Sequence, residues 1–145
     1  MFSEANMDLF DVDESYYLAH CIASDLRMGA GIAVSMNDRF NLREQLGKMS
    51  RIDLVHPTCI LTGRVFNLIT KSRSWDKPLV GDFLASLWKM REMCVELGVR
   101  KIAMPRIGCG LDGLLWPSVK DAVQKAFFET DVEVLVCLWK ARPCR

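Results

Sequence analysis

The chain has 145 residues, 50% hydrophobic and 26% charged, with a formal net charge of +1 at pH 7. This length is typical of one domain, and the apolar content suffices for a core, which excludes a disordered chain. The near-neutral balance excludes the broad basic surface typical of duplex-binding proteins, so local groups would have to bind an anionic ligand.

The first half of the chain combines strand-like and helical patterns. The nearly continuous apolar run at residues 16–23 is typical of a strand that is covered on both faces. Apolar residues then recur at helical spacing from about residue 30 towards residue 46, and residues 47–57 are predicted as a loop. Two short β-type runs follow at residues 59–61 and 65–70, with a tight turn between them.

The second half continues the alternation. Apolar residues at helical spacing predict a helix over residues 80–97, and residues 101–104 form a short strand-like run. A further helix has Pro117 in its first turn and includes Phe127, and a strong β-type run covers residues 132–139. Alternating strands and helices predict parallel βαβ units with helices on both faces, as one α/β domain over residues 1–145.

The six cysteines and two histidines show no metal-site or disulfide pattern. No Cys-x-x-Cys pair occurs, and neither histidine lies at ligand spacing from a cysteine. Residues 1–15 contain five acidic residues and no basic one, unlike a signal peptide, and no apolar run approaches the roughly 20 residues of a membrane span. We therefore expect a reduced intracellular protein.

Two glycine-rich segments follow predicted strands. In residues 29–33, small side chains at a helix start let backbone amides approach an anion. Residues 105–112 contain Gly108 and Gly110 and provide a backbone suited to an anion-binding nest. Either segment alone could be a packing turn or a capped connection. Two of them at the ends of two strands favour a cradle for the phosphates of a nucleotide-like ligand.

Two ionisable residues in this part of the sequence suggest chemistry. Lys71 ends a predicted strand, and a lysine with a lowered pKa can form a covalent intermediate at a carbonyl-like or acetal carbon. Asp112 could move the protons that such a reaction needs. A lysine in this position is more often a solvated surface residue. His20 is either a satisfied, half-buried histidine or a ligand contact.

Basic residues and one tryptophan flank Lys71 along the chain. Arg64, Arg73 and Lys77 form a modest cationic cluster with it, which could attract an anionic substrate or simply solvate a surface. Trp75 is equally compatible with a rim that covers a ligand and with loop packing.

Three stretches together resemble one family. They are LAHCIASDLRMGAGIAV, NLITKSR and MPRIGCGLDGLLW, which follow one another in this order. The chain resembles the macrodomain family, and within it the terminal ADP-ribose protein glycohydrolases, over about residues 7–138. The resemblance implies a three-layer α/β/α sandwich with a mixed, mostly parallel central sheet and an ADP-ribose cleft at the strand ends.

The resemblance also implies a role for each candidate residue. Lys71 matches the lysine nucleophile and Asp112 the catalytic acid/base. Asp8 matches the residue that recognises the adenine amino group, although Met7 stands where the family commonly has glycine. The other implied ligand contacts are Leu9, His20, Gly29, Ala30, Gly31, Ile32, Ala33, Ile107, Gly108, Cys109, Gly110 and Leu111.

The implied activity is that of a glycohydrolase. Lys71 would displace a glutamate or aspartate side chain from C1″ of the distal ribose, without metal or cofactor, and the site would also deacylate O-acetyl-ADP-ribose. The expected partners are ADP-ribose and mono-ADP-ribosylated proteins, with no membrane and no indicated nucleic acid, for a monomer of the nucleus and cytoplasm. Two alternatives stay open: a non-catalytic ADP-ribose reader, which would not need Lys71 with Asp112, and a nucleotide-binding or RNA-associated protein.

Overall fold

The computed structural model describes residues 1–138. In chain order its helices and strands are β1 (Phe2–Ala5), β2 (Tyr17–Ala23), α1 (Ile32–Phe40), α2 (Leu42–Gly47), β3 (Thr58–Thr62), β4 (Val65–Lys71), α3 (Val80–Leu97), β5 (Lys101–Met104), α4 (Trp116–Phe127) and β6 (Glu133–Cys137). Two short 3-10 turns, Leu9–Asp11 and Arg51–Leu54, lie in the connections.

The strands form one mixed sheet in the order β1-β6-β5-β2-β4-β3. All neighbouring strands are parallel except β3, which is antiparallel to β4. The turn around Gly63, at φ +56°, is too short for a helical crossover and allows only a hairpin. Helices α3 and α4 cover one face of the sheet, and α1 and α2 cover the other. The predicted three-layer α/β/α sandwich with a mostly parallel sheet is confirmed.

The side chains of the central strands alternate between two hydrophobic cores, one on each face of the sheet. In β4, Phe66 and Leu68 pack with α3 and α4, whereas Val65 and Ile69 pack with α1 and α2. All six residues from Val65 to Thr70 are buried, which explains the nearly continuous apolar run in the sequence. Each of its buried valine, phenylalanine, leucine and isoleucine side chains contributes roughly 1.5–3 kcal/mol through burial. The strand therefore holds its last residue, Lys71, in a fixed place.

The helix predicted from about residue 30 to residue 46 is two helices. Asn41 separates them in the left-handed conformation, at φ +54°, and its side-chain amide donates to Glu44 at 2.7 Å. Asparagine adopts this conformation more readily than most residues, and the local turn interrupts a continuous apolar pattern. The predicted loop over residues 47–57 contains a 3-10 turn, and Trp139, at the end of the last predicted strand, lies outside the described residues.

Candidate active site

The carboxyl ends of β2, β4 and β5 open into a cavity of about 840 Å³. Ligands of open α/β sheets bind at this edge, and the volume is typical of a small-molecule site. Both predicted glycine segments line the cavity, together with Lys71 and Asp112. The lining residues are 20–23, 28–33, 71, 74, 105–112 and 114–116.

Lys71 and Asp112 meet at the wall of this cavity. Lys71 is the last residue of β4, and its Nζ donates to Asp112 Oδ1 at 2.6 Å. Their side chains are only 10% and 14% exposed, respectively. A primary amine thus lies in direct contact with a carboxylate that can accept its proton, beside a space large enough for a ligand.

Two thiols line the same cavity but are poorly suited to attack. Burial, helped by the charge of Asp112, raises the pKa of Cys21 well above its ordinary value. Burial also raises the pKa of Cys109. Because the thiolate is the nucleophilic form, these raised pKa values make both thiols poor nucleophiles at neutral pH.

The first glycine segment shapes the start of α1. Gly31 is its N-cap, at φ +62° and ψ −151°, a conformation that is essentially restricted to glycine. Two non-glycine residues just before it, Leu26 and Met28, also have positive φ, of 58° and 46°. No described side chain caps this helix start, so its first amides can bind an anion in the cavity.

The second glycine segment uses its glycines differently. Gly108 has φ +74°, and a methyl group on it would lie 2.9 Å from Leu114 Cδ1 and 3.1 Å from Phe83 Cε1. A methyl group on Gly110 would meet no atom within 4 Å. Gly108 is therefore required by packing within the protein, whereas Gly110 leaves open space.

Residues 72–77, which we call the strap, lead from β4 towards α3. Hydrogen bonds fasten the strap to the loop after β2 and to the loop after β5. Ser74 donates to the Asp25 carboxylate from its amide at 2.8 Å and from its hydroxyl at 2.7 Å. Lys77 Nζ donates to the carbonyl of Leu111. Burial alone would raise the pKa of Asp25, but hydrogen bonds from Ser74 and from the Arg27 amide outweigh it and lower the pKa.

The strap and its fastenings were not predicted from the sequence. Trp75, a candidate rim residue from the sequence, is 65% exposed on the strap. Asp25 and Ser74 are 49 residues apart, and no local pattern signals that they meet. Arg64, placed with this cluster by the sequence, lies instead at the amino end of β4, near the ring of Phe40.

His20 is fully buried rather than half-buried as expected. Its Nε2 lies 2.6 Å from Asn67 Oδ1. The Asn67 amide nitrogen donates to Thr62 Oγ1 at 2.9 Å, so Oδ1 is the acceptor and Nε2 carries the hydrogen. Burial lowers the pKa of His20 to about 4, which leaves a neutral ring whose Nδ1 has no partner among the described residues. His20 lines the cavity.

Asp8 and Leu9 lie outside the cavity lining. The Asp8 carboxylate accepts a hydrogen bond from the Phe10 amide at 2.9 Å and caps a 3-10 turn, and Leu9 is fully buried. Both follow β1, whose carboxyl end lies at the same edge of the sheet as the cavity. Their contact with adenine stays a prediction.

Neither a metal-binding cluster nor a membrane-spanning helix is found in residues 1–138. Within this range, no three His, Cys, Asp or Glu side chains are placed to hold a metal ion together. No helix in the same range has the length and apolar content to cross a membrane.

Comparison with known proteins gives matches over most of the chain. No family model matches. ADP-ribose glycohydrolase OARD1 of Homo sapiens is 38% identical over 130 residues, which cover 89% of this chain and 86% of that protein. The macrodomain of Mycobacterium tuberculosis DarG has a TM-score of 0.86 at 21% identity, covering 97% of this chain and 99% of that one. The macrodomain of Thermus aquaticus DarG has a TM-score of 0.83 at 25% identity, covering 94% and 97%.

Proposed function

The chain belongs to the macrodomain family, close to the subgroup of ADP-ribose glycohydrolase OARD1, and on this premise we propose that it is an ADP-ribose glycohydrolase. Its proposed substrates are proteins that carry mono-ADP-ribose on glutamate or aspartate side chains. One observation carries the proposal: Lys71 Nζ lies 2.6 Å from Asp112 in a cavity that both glycine segments line.

We propose that the cavity holds ADP-ribose along the strand ends. The open space at Gly110 and the uncapped start of α1 support binding of the diphosphate and distal ribose between residues 107–111 and 29–33. The adenine would lie towards Asp8 and Leu9, beyond the carboxyl end of β1. This orientation places the distal ribose near Lys71.

In the proposed reaction, Asp112 first accepts a proton from the Lys71 ammonium. The amine lone pair attacks C1″, the bond from C1″ to the carboxylate oxygen breaks, and the glutamate or aspartate side chain leaves as a carboxylate. Asp112 loses its proton to solvent and then accepts one from a water that displaces Lys71 from C1″. Free ADP-ribose leaves, and the amine is restored. The same site would hydrolyse the ester of O-acetyl-ADP-ribose.

A second candidate function is an ADP-ribose reader without turnover. The two glycine segments would serve a reader equally well. A reader has no need of an amine and a carboxylate in direct contact inside the cavity, because it performs no attack at C1″. The contact between Lys71 and Asp112 therefore favours the enzyme.

The proposal is tested by replacing each member of the pair. Lys71→Met and Asp112→Asn should each lower the release of ADP-ribose from a glutamate-modified protein by at least about 10³-fold, as expected for loss of a nucleophile or its base. Calorimetry should show that both variants still bind ADP-ribose, because the glycine segments are intact.

Lys120→Met is the matched control. Lys120 also pairs with a carboxylate, Glu4, at 2.9 Å, but does not line the cavity. This variant should keep wild-type turnover. If Lys71→Met turned over substrate as fast as the wild type, the lysine mechanism would be wrong. If the wild-type protein bound ADP-ribose but released it from no modified protein, the protein would be a reader.

A further inference from the structure

The strap limits where the rest of a substrate can lie. It follows Lys71 directly, Ser74 within it lines the cavity, and its fastenings at Asp25 and Leu111 belong to the loops after β2 and β5. If the proposed function is right, C1″ of the distal ribose sits at Lys71. Whatever is attached to C1″ would then leave the cavity beside the strap.

The surface around the strap carries basic groups without acidic partners. Arg27, Arg73 and Lys77 are all exposed, and none forms an ion pair within residues 1–138. Two carboxylates lie nearby and accept hydrogen bonds from backbone amides: Asp25 accepts from the Ser74 and Arg27 amides, and Asp76 accepts from the Arg73 amide at 3.1 Å. Counted with these two carboxylates, the three basic side chains leave this part of the exit with a formal charge of +1, as large as that of the whole chain.

We propose that this exit binds an acidic polypeptide segment, the residues that flank the modified side chain. This inference rests on the proposed function and extends it to the choice of substrate. Three separate cations match carboxylates spaced along an extended chain. The exposed side chains of Leu79 and Leu111, 71% and 67% accessible, offer apolar contacts to such a chain.

A single-stranded nucleic acid fits this surface less well. Base recognition without sequence preference needs open aromatic faces and a longer basic groove. Here Trp75 is a single exposed aromatic ring with the Arg73 guanidinium 5.7 Å from its centroid, and the exposed Leu79 and Leu111 are aliphatic. The acidic polypeptide is therefore the occupant that the charges and side chains favour.

The test compares two synthetic peptides, each with one ADP-ribosylated glutamate. The flanking residues are glutamate in one peptide and glutamine in the other. Binding to Lys71→Met protein is followed by fluorescence anisotropy, so that no turnover is needed. We expect the acidic peptide to bind about three- to tenfold more tightly at about 0.05 M salt, and this preference to disappear at about 0.5 M salt.

Variants that each remove one positive charge show which basic residues cause the preference for the acidic peptide. Arg73→Gln and Lys77→Gln, each in the Lys71→Met background, should lower the ratio of the two affinities by about two- to threefold each. The ratio cancels any loss that is common to both peptides. Arg100→Gln is the matched control, because Arg100 is exposed and precedes β5 at the opposite end of the strands, and it should leave the ratio unchanged.

Equal affinities of the two peptides at low salt would overturn the acidic-segment proposal and leave the glycohydrolase standing. Tighter binding of a mono-ADP-ribosylated single-stranded oligonucleotide than of the acidic peptide would overturn it in favour of nucleic acid. A clear preference for the acidic peptide, with no turnover of either peptide by wild-type protein, would support the docking surface and contradict the proposed hydrolysis.

Discussion

At the scale of single residues, His20 is an ionisable group that the fold keeps neutral. Its ring is fully buried against Asn67, and burial lowers its pKa to about 4 from an ordinary value of 6.5. Between these two values the unfolded chain binds a proton that the folded chain does not. The stability that this group contributes is therefore complete above pH 6.5 and declines as the pH falls towards 4.

This shift gives a measurable pH dependence. Between pH 7 and pH 5 the free energy of unfolding, measured by urea titration, should fall by about 2 kcal/mol through His20 alone. His20→Asn should remove that part of the decline. His56→Gln, at the half-buried histidine 3.6 Å from Asp82, should retain it. An unaltered decline in His20→Asn would show that His20 is not the group responsible.

Local sequence patterns indicate Lys71 and Asp112 as candidate site residues, but they do not predict that the two side chains meet. Each residue stood out in the sequence through its position at the end of a predicted strand or in a glycine-rich turn. Their contact joins positions 41 residues apart, at the end of β4 and in the loop after β5. The strand between them in the sheet is β2, so the meeting depends on a strand order that local spacing does not encode.

At the scale of elements, the loop between β5 and α4 contains two glycines with different roles. Gly108 is packed against other side chains, and Gly110 faces open space. Gly108→Ala should lower the free energy of unfolding by about 1–3 kcal/mol, because it combines positive φ with a 2.9 Å contact. Gly110→Glu should change it by less than about 0.5 kcal/mol but abolish ADP-ribose binding, because bulk and charge enter the diphosphate site.

Urea titration and calorimetry on both variants separate the two effects. Gly81→Glu provides the matched control, since Gly81 lies on α3 with open space around it and outside the cavity lining. It should bind ADP-ribose as the wild type does. Unchanged calorimetric affinity in Gly110→Glu would place the diphosphate elsewhere.

The elements that follow from the sequence are those with strong, uninterrupted patterns. Strand β5 and helix α3 have their predicted bounds, because apolar spacing alone defines them. The break between α1 and α2 was not predicted, because it depends on the backbone of a single residue, Asn41, inside a continuous helical pattern. The short β1 has no apolar run, and it forms because β6 pairs with it along the edge of the sheet.

At the scale of the whole molecule, the site is a product of sheet topology. The order β5-β2-β4 brings the loops after three strands to one edge, where each supplies a different part of the cavity. The alternation of strands and helices in the sequence predicts a parallel sheet of this kind. The resemblance of three stretches to one family implies which loops meet at the cavity. The strap could not be predicted, because its hydrogen bonds join loops that are distant along the chain.

The proposed mechanism requires Lys71 to form a bond to C1″ during hydrolysis. The most direct test is mass spectrometry of protein quenched during turnover of a glutamate-modified substrate, followed by peptide mapping. We expect an added ADP-ribosyl mass on Lys71 in the wild type and none on any lysine of Lys71→Met. Full turnover with no adduct on Lys71 at any quench time, or an adduct on another residue that forms and decays at the rate of turnover, would contradict the account.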